Sequence, residues 1–196
     1  MTKSKQMKNL SSILTLLIIM LSFCGFAQQK TALHSGGSTT IFDGVNQFVD
    51  AYNAAIDGDT IYLPGGTITQ VPTINKKVAI YGAGFHPDST TATGKTMITQ
   101  NTTINSDADS TYITGIEFTG ALRVSNNNDV DFLTLSRCKI GSLEFDGNLS
   151  APCDQAMVKE CVITTLEFNN AQYSTVTNCI IEDRLYSGQY NAILNN

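Results

Sequence analysis

A chain of 196 residues with 12 basic against 17 acidic side chains and a net charge of −5 is a poor candidate for nucleic acid or anionic membrane surfaces. Those partners call for clustered Lys and Arg, and no such cluster follows the first few residues. The length suits one domain.

The chain begins with Lys3, Lys5 and Lys8, continues with an apolar run from Ile13 to Phe23, and then offers small residues at Gly25 and Ala27. That order predicts a secretory signal peptide over residues 1–27, too short to span a membrane comfortably. Phe23 argues against acylation at Cys24, because a small residue normally precedes a lipidated cysteine. Cleavage after Ala27 removes three lysines, moves the net charge to −8, and sends the protein out of the cell or to its surface. Residues 28–40 are expected to be a flexible mature N-terminus, and 41–196 to form the folded domain.

Val45, Phe48, Val49, Tyr52 and Ile56 recur at helical spacing, which predicts an amphipathic helix over about 44–56. Asp57-Gly58-Asp59 ends it. Thr60-Ile61-Tyr62-Leu63-Pro64-Gly65-Gly66-Thr67 then reads as strand and turn, as does Val78-Ala79-Ile80-Tyr81-Gly82-Ala83-Gly84. A polar excursion from His86 to Lys95 follows. The Gly82-Ala83-Gly84 turn lacks the helix and Lys-Ser/Thr of a phosphate loop.

From residue 113 a phrase repeats: Ile113-Thr-Gly-Ile116-Glu-Phe118, Leu135-Ser-Arg-Cys138-Lys-Ile140, Val158-Lys-Glu-Cys161-Val-Ile163 and Val176-Thr-Asn-Cys179-Ile-Ile181. Self-similarity at about twenty residues marks a solenoid. Within each repeat the period-two alternation breaks, first at Ser136-Arg137 and again at Gly141-Ser142, after which Leu143 and Phe145 point inward. Ala156, Val158, Cys161, Ile163, Leu166 and Phe168 follow the same plan, then Val176, Cys179, Ile181 and Leu185. Three inward strands per coil describe an all-β parallel β-helix. Asn126-Asn127-Asn128, Asp146-Gly147-Asn148 and Asn169-Asn170 supply the longer turns, and Asn148 to Asp154 looks like a small loop insertion.

Ile116, Cys138, Cys161 and Cys179 hold one repeat position and form a predicted core column. Coils stack about 4.7–4.9 Å apart, so the thiols either line the core or form one disulfide within the column. The free, buried column is the reading preferred here. Ala192 and Leu194 sit where a new coil should begin, with Asn195-Asn196 as its bend, so a longer chain is expected to continue beyond Asn196.

The stretch Phe48 to Thr67 resembles the opening of pectin-lyase-like right-handed parallel β-helix proteins. There a capping helix leads into a Gly-Asp-Thr-Ile strand and a Pro-Gly-Gly-Thr turn. Tyr81-Gly-Ala-Gly84 and Asn178-Cys-Ile-Ile181 are similar to the same coil vocabulary. The resemblance implies a right-handed parallel β-helix capped by the helix at 44–56. Many members cleave acidic polysaccharides, the lyases with acidic Ca²⁺ ligands and an Arg or Lys base, the hydrolases with clustered Asp, His and Arg-x-Lys elements. This chain has no Asp-Asp pair and no Gly-His-Gly, and its histidines are His34 and His86 alone, both read as surface residues.

Outward positions on the first strand of each coil are Tyr112, Thr134, Met157 and Thr175, which supply no charge. The adjacent bends do. Asp131, Arg137, Lys159 and Glu160 form a candidate saccharide-binding cluster, or a mutually neutralising surface group. Glu144 stacked over Glu167 places like charges on adjacent strands, which Ca²⁺, Arg123 or water must relieve. The expectation is a β-helix module of structural or carbohydrate-binding type with a polysaccharide or cell-surface glycan as partner. The competing expectation is a polysaccharide lyase or glycoside hydrolase with its catalytic residues beyond Asn196.

Overall fold

A computed structural model of the chain describes residues 29–86, 94–125, 127–147, 150, 152–187 and 192–195. The predicted signal peptide, Asn126, Asn148 and Asn196 lie outside them. The described chain is a parallel β-solenoid of about six turns with one short helix near its N-terminus.

Two long sheets form its walls. The first holds Thr60–Tyr62, Ala79–Tyr81, Tyr112–Thr114, Thr134–Ser136, Met157–Lys159, Ser174–Thr177 and Ala192–Asn195, each paired in parallel with the next. Alternation explains the packing. From the Thr60–Tyr62 strand to the Ser174–Thr177 strand an aliphatic residue of each points in, so Ile61, Ile80, Ile113, Leu135, Val158 and Val176 stack in register as a buried ladder. The second sheet runs through Gly66–Ile68, Thr96–Ile98, Ile116–Val124, Lys139–Phe145, Val162–Phe168 and Ile180–Ser187, with Thr102–Ile104 beside Ile116–Val124. It contributes three inner columns, Ile98-Phe118-Ile140-Ile163, Leu122-Leu143-Leu166 and Val124-Phe145-Phe168.

The expected second break at Gly141-Ser142 is a register irregularity within one continuous strand. A bulge bends a strand without ending it, so the predicted second and third strands of each coil are one. A third, two-stranded sheet pairs Cys153–Asp154 with Ala171–Gln172, so the segment read as a loop insertion ends in a strand. Leu185 pairs with Leu166 and was expected to be inward, yet it is 39% exposed. Its strand is the last in its sheet, so no described coil covers its outer flank.

The bend between the two long sheets repeats one conformation. Gly115, Arg137, Glu160 and Asn178 all have positive φ, between 51° and 71°. A left-handed residue turns the chain sharply without a loop, which is why the alternation breaks there.

Residues 30–43, most of which fall in the segment expected to be flexible, form an antiparallel hairpin of Lys30–Ser35 and Ser38–Asp43. Its first strand pairs with Thr60–Tyr62 and so covers the edge of the first coil. The predicted helix is present but shorter, Gln47–Ala54, and buries Phe48, Ala51 and Tyr52. Its C-terminal carbonyls are met by Lys76, whose Nζ donates to Tyr52 O at 2.9 Å, Asn53 O at 3.2 Å and Ala55 O at 2.8 Å.

The predicted core column is buried: Ile116, Cys138, Cys161 and Cys179 are at most 5% exposed. Among the described residues Cys138, Cys153, Cys161 and Cys179 stand outside any disulfide. The backbone N–H groups of Cys138 and Cys161 donate to the next sulfur in the column, each at 3.4 Å.

Candidate functional site

The outer face of the first sheet carries a stack of tyrosines. Ile61 and Ile80 point in, so alternation turns Tyr62 and Tyr81 out, and strand register sets them side by side. Their rings lie 5.4 Å apart at 27°. Tyr112 stands diagonally beyond, 5.6 Å from Tyr81 and tilted by 47°. Rings so inclined do not cover each other's faces, and both border a hollow of about 360 Å³. Its floor is Gly82, Gly84 and Gly115, and Thr114, His86 and Arg137 complete the wall. The glycines are a requirement of the site. A Cβ on Gly82 would lie 2.3 Å from the carbonyl oxygen of Gly115, so the two coils meet at backbone distance only because neither has a side chain there.

Chemically the hollow combines aromatic faces with phenol, hydroxyl, imidazole and guanidinium groups at its rim. Tyr62 and Tyr81 are 49% and 38% exposed. Large aromatics held in water beside polar rim groups make a surface suited to a flat-faced polar ligand.

Arg137 and Glu160, expected to act together, are brought together: Nε lies 2.7 Å from Oε2. The hydrogen bond and charge of Arg137 lower the Glu160 pKa, and Glu160 raises that of Arg137. Lys159 precedes Glu160 on the strand and lies near enough to lower its pKa further. Asp131 is not part of this group, since it lies before the Thr134–Ser136 strand, whereas Arg137 follows that strand, Lys159 ends the Met157–Lys159 strand and Glu160 follows it. It belongs instead to a ladder. Asp109 Oδ1 accepts the Asp131 N–H at 2.9 Å, and Asp131 Oδ1 accepts the Asp154 N–H at 2.8 Å. Burial, then the charges of Asp131, Asp109 and Asp154, raise the Asp129 pKa; burial and Asp131 raise that of Asp154. Among the described residues no group of three or more His, Cys, Asp or Glu could hold a metal ion.

Glu144 and Glu167 do stack in register. Arg123 relieves the repulsion: it pairs with Glu144, and its Nε also lies 3.3 Å from Asp146 Oδ2, while Ser142 Oγ donates to Glu144 at 2.8 Å. Arg137-Cys138-Lys139 has Arg-x-Lys spacing, but its two cations serve different acids, Glu160 and Glu117.

Tyr62, Tyr81 and His86 were missed as site residues. The signal was present, since Thr60-Ile61-Tyr62 and Ala79-Ile80-Tyr81 share one alternation. However, the coil steps there run from Ile61 to Ile80 to Ile113, which are unequal, and conceal the stack. No protein-family model, no curated protein and no solved structure matches the chain.

Proposed function

We propose that this chain is an exported β-solenoid module, of the right-handed pectin-lyase-like type, that binds a carbohydrate chain on the face of Tyr62, Tyr81 and Tyr112. The tyrosine stack carries the reading. Its tilted rings offer apolar faces to sugar C–H groups, and Thr114, His86 and Arg137 stand where hydroxyls would need partners. The export signal at residues 1–27 agrees with an extracellular glycan as partner, and the chain brings no basic patch that would favour nucleic acid.

Affinity gel electrophoresis against xylan, mannan, cellulose derivatives, polygalacturonate and alginate tests it. The chain should be retarded by at least one of these, and Tyr81→Ala should weaken retention about tenfold. Unretarded migration in every gel, or a Tyr81→Ala variant that migrates like the unaltered chain, sinks the reading. New reducing or unsaturated sugar ends after incubation, with or without Ca²⁺, would replace it with an enzymatic one.

A further inference from the structure

We propose that the ligand is a neutral linear polysaccharide and that Phe132 and Tyr173 prolong its track along the solenoid. This rests on the carbohydrate-binding reading above.

Ser110, Phe132, Gln155 and Tyr173 stand in one column at the corner that leads into the first sheet. All four have left-handed backbone, with φ of 61°, 57°, 56° and 53°. The N–H groups of the first three donate across to Asp131 O, Asp154 O and Gln172 O at 2.8–3.0 Å, which fixes the stacking. Gly or Asn takes this conformation with least strain, and a bulky aromatic is the exception. Phe132 and Tyr173 are nevertheless bulky, and they are 49% and 66% exposed. Each position therefore combines backbone strain with an aromatic ring left in water, and neither gains core packing in return. The corner imposes this backbone on every coil, so what points to a ligand is the choice of a bulky aromatic ring, left in water, at two of its four positions.

The placement connects them to the tyrosines. Tyr62 and Tyr81 occupy the third position of their strands, and Tyr112 the first. Phe132 lies two residues before Thr134 and Tyr173 two before Thr175, the residues in register with Tyr112, so the rings follow an oblique path across the coils, with Gln155 standing between Phe132 and Tyr173. A shallow hollow of about 150 Å³, lined by Lys77, Ser110 and Tyr112, joins the tyrosine face to this corner. From Tyr62 to Tyr173 the path crosses five coil steps, about 24 Å at the spacing of neighbouring strands. A single sugar cannot span that distance, and an extended chain can. The outward column Tyr112, Thr134, Met157 and Thr175 bears no charge, Arg137 is already paired with Glu160, and Lys77 in the joining hollow has Asp57 beside it, whose Oδ1 accepts the Lys77 backbone N–H at 3.0 Å. With a net charge of −8 once residues 1–27 are removed, such a face favours a neutral chain over a uronate polymer.

Titration calorimetry with cello-, xylo- and manno-oligosaccharides, from disaccharide to octasaccharide, reads the track directly, with oligogalacturonate as the acidic counterpart. Phe132→Asn and Tyr173→Asn are the variants, because Asn suits the left-handed backbone and keeps the fold, which melting curves verify. Affinity should rise with length up to the longest chains. Each Asn variant should weaken long-chain binding about three- to tenfold and leave disaccharide binding unchanged, whereas Tyr81→Ala should weaken both. If the Asn variants bind long chains as the unaltered protein does while Tyr81→Ala is impaired, the track is wrong and the tyrosine site stands. Tighter binding of oligogalacturonate overturns the neutral ligand. If no probe binds, or Tyr81→Ala changes nothing, the underlying reading falls and this inference with it.

Discussion

Arg137 and Glu160 hold one another across neighbouring coils, Nε to Oε2 at 2.7 Å, from two residues that both take left-handed backbone, φ 51° and 56°. The pair stands in water, so salt and solvent screen it and it adds little to stability. The backbone strain is not screened. Glu160→Gly is therefore expected to raise the melting temperature at neutral pH, by removing an unfavourable conformation at the expense of a weak ion pair. Arg137 lowers the Glu160 pKa, so the pair's small contribution is present above the ordinary carboxylate range and is lost as pH falls through the lowered value. A lower melting temperature for Glu160→Gly at physiological salt would show that the ion pair outweighs the strain.

The same reasoning applies with greater force at Tyr173, whose ring is 66% exposed and carries no charge. Tyr173→Asn should stabilise the fold by about 1 kcal/mol, measured by urea unfolding, even as it weakens long-chain binding. A variant that loses stability would mean that the ring packs on the folded surface after all.

Glu117 is a different kind of charge. It is 6% exposed on the outer face of the second sheet, held by Lys95 and by Lys139, whose Nζ lies 3.3 Å from Oε1. Burial pushes its pKa up, but the two lysines outweigh that and bring it below the usual value. A lowered carboxylate stabilises the fold above its unfolded pKa of about 4.3 and loses that contribution as pH falls through the folded value. Glu117→Gln should therefore flatten the acid limb of the stability curve. Removing both lysines together, Lys95→Met with Lys139→Met, should cost about 2 kcal/mol at neutral pH, because it strands a buried carboxylate. An unchanged acid limb in Glu117→Gln would remove this residue from the account.

Much of this architecture was legible because the coils from Ile113 onward are nearly equal in length and carry Cys or Ile at one fixed position. The bend at Ser136-Arg137 followed from a single odd step in the alternation, and the structure places a left-handed residue there. The hairpin at 30–43 was not legible. Only Thr31 and Leu33 of its first strand are buried, and a strand that covers an edge needs little apolar pattern of its own. The tyrosine stack was hidden for a related reason: register across unequal coils cannot be counted from the sequence, and the site exists only in that register.

The aspartate ladder makes a prediction whose sign depends on pH. Asp131 accepts the Asp154 N–H, so Asp131→Ala should lose a coil-to-coil hydrogen bond, about 1 kcal/mol. Asp131→Asn keeps an acceptor at the same place and removes a charge that raises the pKa of both Asp129 and Asp154. A carboxylate whose folded pKa is raised weakens the fold above that pKa, and the penalty disappears as pH falls to the unfolded value of about 3.9. Asp131→Asn should thus melt higher than the unaltered chain at neutral pH and no higher near pH 3. An equal gain at both values would show that charge is not the cause.

Reactivity of the thiols offers a last check on the core. Burial pushes the Cys153 thiol up to about 11, and its contact with Cys138 pushes Cys161 up to about 12. Only the thiolate attacks a disulfide reagent, so at pH 8 both groups should be inert by protonation as well as by burial. Labelling of the signal-free chain with an aromatic disulfide should then proceed at the rate of unfolding and should be insensitive to reagent concentration once reagent is in excess. Because thiolate chemistry is not limiting under those conditions, raising the pH from 7 to 9 should leave the rate unchanged as long as the fold is equally stable. A fast phase that grows with pH would mean that at least one of the four thiols reaches solvent in the folded state, and if the labelled residue were Cys138, Cys161 or Cys179 the column would be an accessible edge of the solenoid rather than part of its interior.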